Sequence, residues 1–195
     1  MNAIRNIFAI IGVLAFIGAG ILFNQFKGDI NALSELDDKA VETYAGMWNK
    51  LKISGTSADA TVWKVPLEED ITPADAEQTM NFVANQYNIK NVGELPLSEQ
   101  VELMTGEKQR LLKIYQYCDP RTAMKMVNYS DAFSAYLPCR VAIVEDMDGH
   151  YALYSLNMDL MIYGGKPLPG ELKEEALKVK KIIRDIMERG AAGAF

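Results

Sequence analysis

The longest uninterrupted apolar run lies at the start of the chain, where residues 7–23 read IFAIIGVLAFIGAGILF without a charge or an amide. Arg5 and the amino terminus precede it, and Lys27 and Asp29 follow. At about 1.5 Å of rise per residue, this run with its polar flanks reaches across a hydrocarbon core of roughly 30 Å. The pattern predicts a single transmembrane helix, with residues 1–28 as anchor and flanks. A removable signal peptide would need small residues placed for cleavage after a shorter apolar core. Gly18, Ala19 and Gly20 are small, but Ile21, Leu22 and Phe23 carry the run past them, which favours a retained anchor. The extra positive charge at the amino terminus favours N-terminus inside. The remaining mass is then extracytoplasmic, on the periplasmic side of an inner (cytoplasmic) membrane.

Behind the anchor, Leu33, Leu36, Ala40, Tyr44, Met47 and Leu51 recur in steps of three or four, while Asp37, Asp38, Lys39, Glu42, Asn49 and Lys50 take the opposite side. This period predicts an amphipathic juxtamembrane helix over residues 29–53. The small polar stretch SGTSAD then reads as a linker, closing a segment of residues 29–59.

Residues 60–195 read as one α+β domain. Val62, Trp63 and Val65 favour a strand, and Thr72-Pro73 opens a helix carrying Ala76, Met80, Val83 and Tyr87. A strand over 89–95, a short helix over 98–104 closed by Gly106, and a strand over 111–118 follow. Asp119-Pro120 starts another helix. Residues 140–145 and 151–156 are apolar runs on either side of Asp146-Met147-Asp148-Gly149-His150, the pattern of a hairpin. After Gly164-Gly165-Lys166, read as a connector, a long helix spans 171–189, its acidic residues leading and its basic residues trailing as the helix dipole prefers. The tail from Gly190 to Phe195 is expected to be loose. The fold expected is a two-layer sheet-and-helix domain behind a transmembrane helix and an amphipathic helix.

Composition narrows the chemistry. The 195 residues carry a net charge of −6, which offers no basic face for nucleic acid. Two cysteines and one histidine make neither a disulfide-rich scaffold nor a four-ligand zinc site. The acidic runs at Asp37-Asp38, Glu68-Glu69-Asp70 and Glu174-Glu175 read as solvated faces, and Ser130 and Ser134 lack a histidine-plus-acid pattern. No catalytic residues, no cofactor and no resident metal are expected.

Cys118-Asp119-Pro120, followed by Leu137-Pro138-Cys139-Arg140-Val141 and then the acidic turn at 145–149, resembles the bacterial domain of unknown function 302 family over residues 61–158. That family typically carries Cys-Asn-Pro at the first step, so Asp119 is a departure, mild because either residue caps a helix. The resemblance implies a small, often dimeric α+β domain with no established reaction. The anchor, the amphipathic helix and the final helix lie outside the match.

Cys118 precedes a helix start, where backbone N–H groups and the helix dipole lower a thiol pKa, and a sheet can bring it to Cys139. A disulfide, two buried unlinked thiols, and a redox or metal-binding pair all remain open. Methionines 104, 124, 126, 147, 158 and 161 fall near the cysteines and His150 in sequence, so soft-metal (copper) or haem handling is worth naming, although methionine usually fills cores. Tyr115, Tyr117, Phe133 and Tyr136 could wall a small apolar ligand. On the membrane helix, Gly12, Ala15 and Ala19 share one side, which would let a second helix approach. The leading expectation is a non-enzymatic, membrane-tethered extracytoplasmic accessory domain. Its expected partners are the lipid bilayer and a homo-oligomer or larger membrane complex. The alternative is a thiol or metal (copper or haem) redox factor using Cys118 and Cys139.

Overall fold

The structure, a computed structural model, describes residues 2–195. Helix α1 (Asn2–Ser34) takes up the apolar run and continues past it, and α2 (Ala40–Ser54) follows after a tight turn. A single helical turn, α3 (Ser57–Ala60), leads into β1 (Val62–Pro66). The domain then runs α4 (Pro73–Gln86), β2 (Lys90–Pro96), α5 (Leu97–Thr105), β3 (Leu112–Cys118), α6 (Pro120–Tyr129), a 3-10 turn at Asp131–Tyr136, β4 (Cys139–Glu145), β5 (Tyr151–Leu156), α7 (Asp159–Tyr163) and α8 (Gly170–Ala192).

The five strands form one antiparallel sheet in the order β1-β5-β4-β3-β2. Strand alternation sends Trp63, Tyr115, Tyr117, Val141, Ile143 and Leu153 to one face, where all are buried. Helices α4 and α8 cover that face with Met80, Val83, Ile183, Ile186 and Met187. This makes the two-layer α+β architecture expected from the sequence. Local chemistry sets the helix starts. Thr72 and Asp75 form a reciprocal capping box ahead of Pro73, and the Asp119 carboxylate accepts the Arg121 N–H at 3.0 Å ahead of α6.

The hairpin also forms as read. β4 pairs with β5 from Val141↔Ser155 to Glu145↔Tyr151, and one Asp146 carboxylate oxygen accepts the N–H groups of Asp148 and His150, each at 2.9 Å. That carboxylate is occupied as a turn lock, and His150 sits exposed at the tip.

The structure corrects four expectations. The helix expected over 29–53 is two helices, because the turn after Ser34 docks onto the domain, and Asp37, assigned to a solvated face, is only 4% exposed. The expected linker contains α3, whose N-terminus Thr56 caps by accepting from Ala58 and Asp59. The α7 turn and the 3-10 turn were not foreseen; both are too short to display a period. The tail is packed rather than loose: Gly190 and Ala191 are buried within α8, and the Phe195 ring meets Phe82 edge-on at 5.4 Å. A Cβ at Gly190 would lie 2.5 Å from the Met80 side chain, so the absence of a side chain there lets α8 close onto α4.

One buried polar atom among the described residues is unsatisfied, the Thr79 hydroxyl on the core side of α4. Thr79→Val keeps the shape and removes the unpaired group. It is expected to be neutral or to stabilise by about 1 kcal/mol, read as the midpoint of urea unfolding; a clear loss of stability would show that the hydroxyl has a partner.

Candidate functional site

Cys118 and Cys139 come together although they are 21 positions apart in the chain. Cys118 closes β3, one residue beyond Tyr117, and Tyr117 is the register partner of Cys139 at the start of β4. Both cysteines are free thiols and both line one apolar cavity under α6 and α8. Three of the six methionines singled out by position, Met126, Met158 and Met161, line the same cavity. The other three do not belong to it: Met104 and Met147 are 84% and 83% exposed, and Met124 faces solvent. His150 stands apart on the hairpin.

The cavity measures about 30 Å³. A closed apolar cavity that admits benzene is near ~150 Å³, so this one takes a single ion or one or two waters rather than a ring-sized ligand. Of the aromatic residues considered as ligand walls, Tyr117 and Phe133 line it. Tyr136 borders a second depression, on the outer face of the sheet, of about 250 Å³, which shares Cys139, Met158 and Met161 with the cavity.

The electrostatics reverse the expected activation of Cys118. Burial, and then the Asp119 carboxylate beside it, raise its pKa, while burial pushes the Cys139 thiol up to about 11 with Cys118 adding to the shift. The start of α6 does favour a thiolate, but Asp119 already caps that terminus, and its negative charge sits against the sulfur. At neutral pH both groups are therefore thiols, which suits neither a nucleophile nor a fast exchanging pair.

A second constellation joins α1 to the domain, and the sequence reading missed it. The Asp37 N–H donates to the Gly165 carbonyl at 2.9 Å, and the Tyr44 hydroxyl of α2 donates to the Gly164 carbonyl at 2.6 Å. The Asp37 side chain is 1% exposed and pairs with Lys173 of α8, while Glu35 pairs with Lys166 on the surface. The Lys173 ammonium, followed by the Lys39 N–H, holds the Asp37 carboxyl below the usual carboxylate range against the opposing effect of burial. Gly164-Gly165-Lys166 is thus the receiving dock for the base of α1, not a passive connector. A Cβ at Gly164 would fall 2.3 Å from the Leu160 carbonyl oxygen and 3.2 Å from the Tyr44 hydroxyl, so glycine is required by close approach.

A third cluster ties α4 to the sheet edge. Glu77 accepts from the Tyr115 hydroxyl at 2.6 Å and from Lys113 at 2.9 Å, and Lys113 also pairs with Glu94 on β2 at 2.9 Å. Burial pushes the Tyr115 and Tyr117 phenols up, so neither serves as a base near neutral pH. The sequence carried one retrospective signal for this cluster, the alternation of Lys113 with Tyr115 and Tyr117 on the core face of a strand.

Fold and site together define a two-layer α+β domain with a half-buried pair of thiols at one end of an antiparallel sheet. The profile of the family described as "Domain of unknown function DUF302" matches residues 63–190, and the chain belongs to that family. The match runs through most of α8, so the final helix is part of the family domain rather than an addition to it. The crystal structure of an uncharacterized conserved DUF302 protein from Bacillus stearothermophilus superimposes with a TM-score of 0.52 at 14% identity, over 65% of this chain and 95% of that one. At this identity the likeness concerns the fold alone. No curated protein matches the chain significantly.

Proposed function

We propose that this protein is a single-pass, membrane-tethered accessory domain, non-enzymatic and extracytoplasmic, which works within a homo-oligomer or a larger membrane complex. The observation that carries the reading is the 24-residue segment Asn6–Asp29 of α1, whose most apolar 18 residues have a mean hydropathy of 2.4, with none of the described ones buried against the rest of the protein. A soluble protein would leave that surface in water, whereas a bilayer covers it.

The dock around Gly164 and Asp37 supports the same reading, because it makes the tether short. Helix α1 continues only to Ser34 beyond that segment before the turn at Glu35 and Asp37 is fixed to α8 and its preceding loop, which favours a domain held close to a bilayer surface. Val41 and Trp48, seven positions apart on α2, are 67% and 58% exposed, an apolar pair on the juxtamembrane helix of the kind that favours a membrane interface. Gly12, Ala15 and Ala19 lie exposed along one side of α1 and supply a face on which a second helix can pack closely.

Deletion of residues 1–28 is the test. The intact chain is expected in the membrane fraction and the shortened chain in the soluble one. In mild detergent the intact chain is expected to migrate as an oligomer or with a partner, and Gly12→Leu with Ala19→Leu to reduce that association. Recovery of the intact chain as a soluble monomer would defeat the proposal.

A further inference from the structure

We propose that the cavity between Cys118 and Cys139 is a binding site for a soft monovalent metal ion, Cu(I), held by the two sulfurs with a methionine thioether in support. The site does not depend on the membrane tether, and either reading can fail without the other.

Three observations select this ligand. The first is the donor set. Two cysteines and three methionines, Met126, Met158 and Met161, line one cavity, and thiolate with thioether is a soft donor set that suits Cu(I). The second is size. About 30 Å³ accommodates a bare ion but no organic ligand of ring size. The third is the shortage of harder donors. Asp119 and Thr122 also line the cavity, but the Asp119 oxygens already accept from the Arg121 N–H and the Thr122 hydroxyl; the His150 imidazole a zinc site would draw on is at the hairpin tip, 80% exposed, and calcium or magnesium needs six or more oxygens that this mostly apolar lining does not offer. Cu(I) accepts two or three soft ligands and leaves no coordination site that the cavity must fill.

The balance of the binding step follows from the protonation of the ligands. Cu(I) with two thiols gives a bis-thiolate complex and two protons, with no change in oxidation state. The complex carries one negative charge, which the Asp119 carboxylate at the start of α6 opposes, so the bonds to the ion supply the driving force for releasing both protons. Cys139, Met158 and Met161 border both the cavity and the outer depression, so these three ligands separate the site from the outer face of the sheet.

The test uses the full chain in detergent, reduced and metal-free, titrated anaerobically with Cu(I) against a chromophoric Cu(I) chelator. One equivalent is expected to bind, with thiolate-to-copper absorption in the ultraviolet and release of two protons. Cys118→Ser and Cys139→Ser are each expected to lose that equivalent, while Met147→Leu, at an exposed methionine outside the cavity, keeps it. If either serine variant fails to fold by circular dichroism, protection of both native thiols from iodoacetamide by one equivalent of Cu(I) replaces it. Absence of binding by the folded, reduced protein would overturn the assignment. So would an equivalent retained by both serine variants, or binding without proton release, which would place the ion on thioethers elsewhere.

Discussion

Replacing Lys173 by methionine is expected to destabilise the protein by about 2–3 kcal/mol at neutral pH, a drop of roughly 4–12 °C in the thermal midpoint for a domain of this size. Methionine keeps the length and apolar contact of the lysine stem but leaves the Asp37 carboxylate, 1% exposed, without its cation. The remaining Lys39 N–H, at 3.1 Å, is a single neutral donor and does not replace it. The cost is smaller than that of orphaning a charge in a dry core because the Lys173 side chain is 30% exposed, so water reaches the edge of the site.

The pH dependence gives this prediction a sign. In the native protein the Asp37 pKa is lowered, so its contribution to stability is present above the unfolded carboxylate value near ~3.9 and is lost as pH falls through the lower folded value. In Lys173→Met the buried, unpaired Asp37 binds its proton more tightly folded than unfolded, so the variant gains relative stability on acidification. The difference between the two proteins should therefore shrink between pH 7 and pH 4, and adding Asp37→Asn to the variant should recover much of it. A difference that is constant with pH would mean that the pair does not hold the base of α1.

The second large effect is expected at the other end of the chain. Ending the protein after Arg189 removes Gly190 and Ala191 from their contact with α4, the Ala191 carbonyl that accepts the Glu68 N–H at 3.0 Å, and the Phe195 ring against Phe82. Lost apolar burial and lost hydrogen bonds together amount to about 3 kcal/mol. Phe195→Ala alone should cost less than half of that, since the ring is 61% exposed. Denaturant unfolding of the two variants beside the intact protein decides the matter; a truncated chain as stable as the full one would return the tail to the loose segment its composition suggested.

These two sites mark where the sequence was hard to read. The domain's strands and longer helices announce themselves through local signals: β-branched and aromatic runs, Thr72 and Asp119 as caps, and an aspartate-glycine turn between two apolar stretches. Such signals depend on neighbours along the chain. The dock does not, because Asp37 meets Lys173 and Gly165 only through the tertiary fold, and an aspartate beside another aspartate looks like a solvated surface until its partner is known. The tail misled for a related reason. Gly, Ala, Ala, Gly and Ala carry little hydrophobic signal of their own, yet small residues are what let α8 lie close to α4 and to Ile71.

The candidate site was half legible. Position in two neighbouring strands brought Cys118 and Cys139 together, as the Cys-Asp-Pro and Leu-Pro-Cys steps suggested. Sequence proximity was a poor guide to the methionines, because Met104 and Met147 lie on exposed segments while Met158 and Met161 turn back under the sheet through α7. The shift in thiol pKa was misjudged in sign: the helix start that would stabilise a thiolate is already capped by Asp119, and burial outweighs what remains.

The membrane tether is the central claim, and the mass of the protein retained in alkali-washed membranes tests it most directly. The account predicts a species at the full 21.7 kDa in the washed membranes of cells expressing the intact chain, released only by detergent. A shorter species lacking the apolar segment and recovered in the soluble fraction would contradict it.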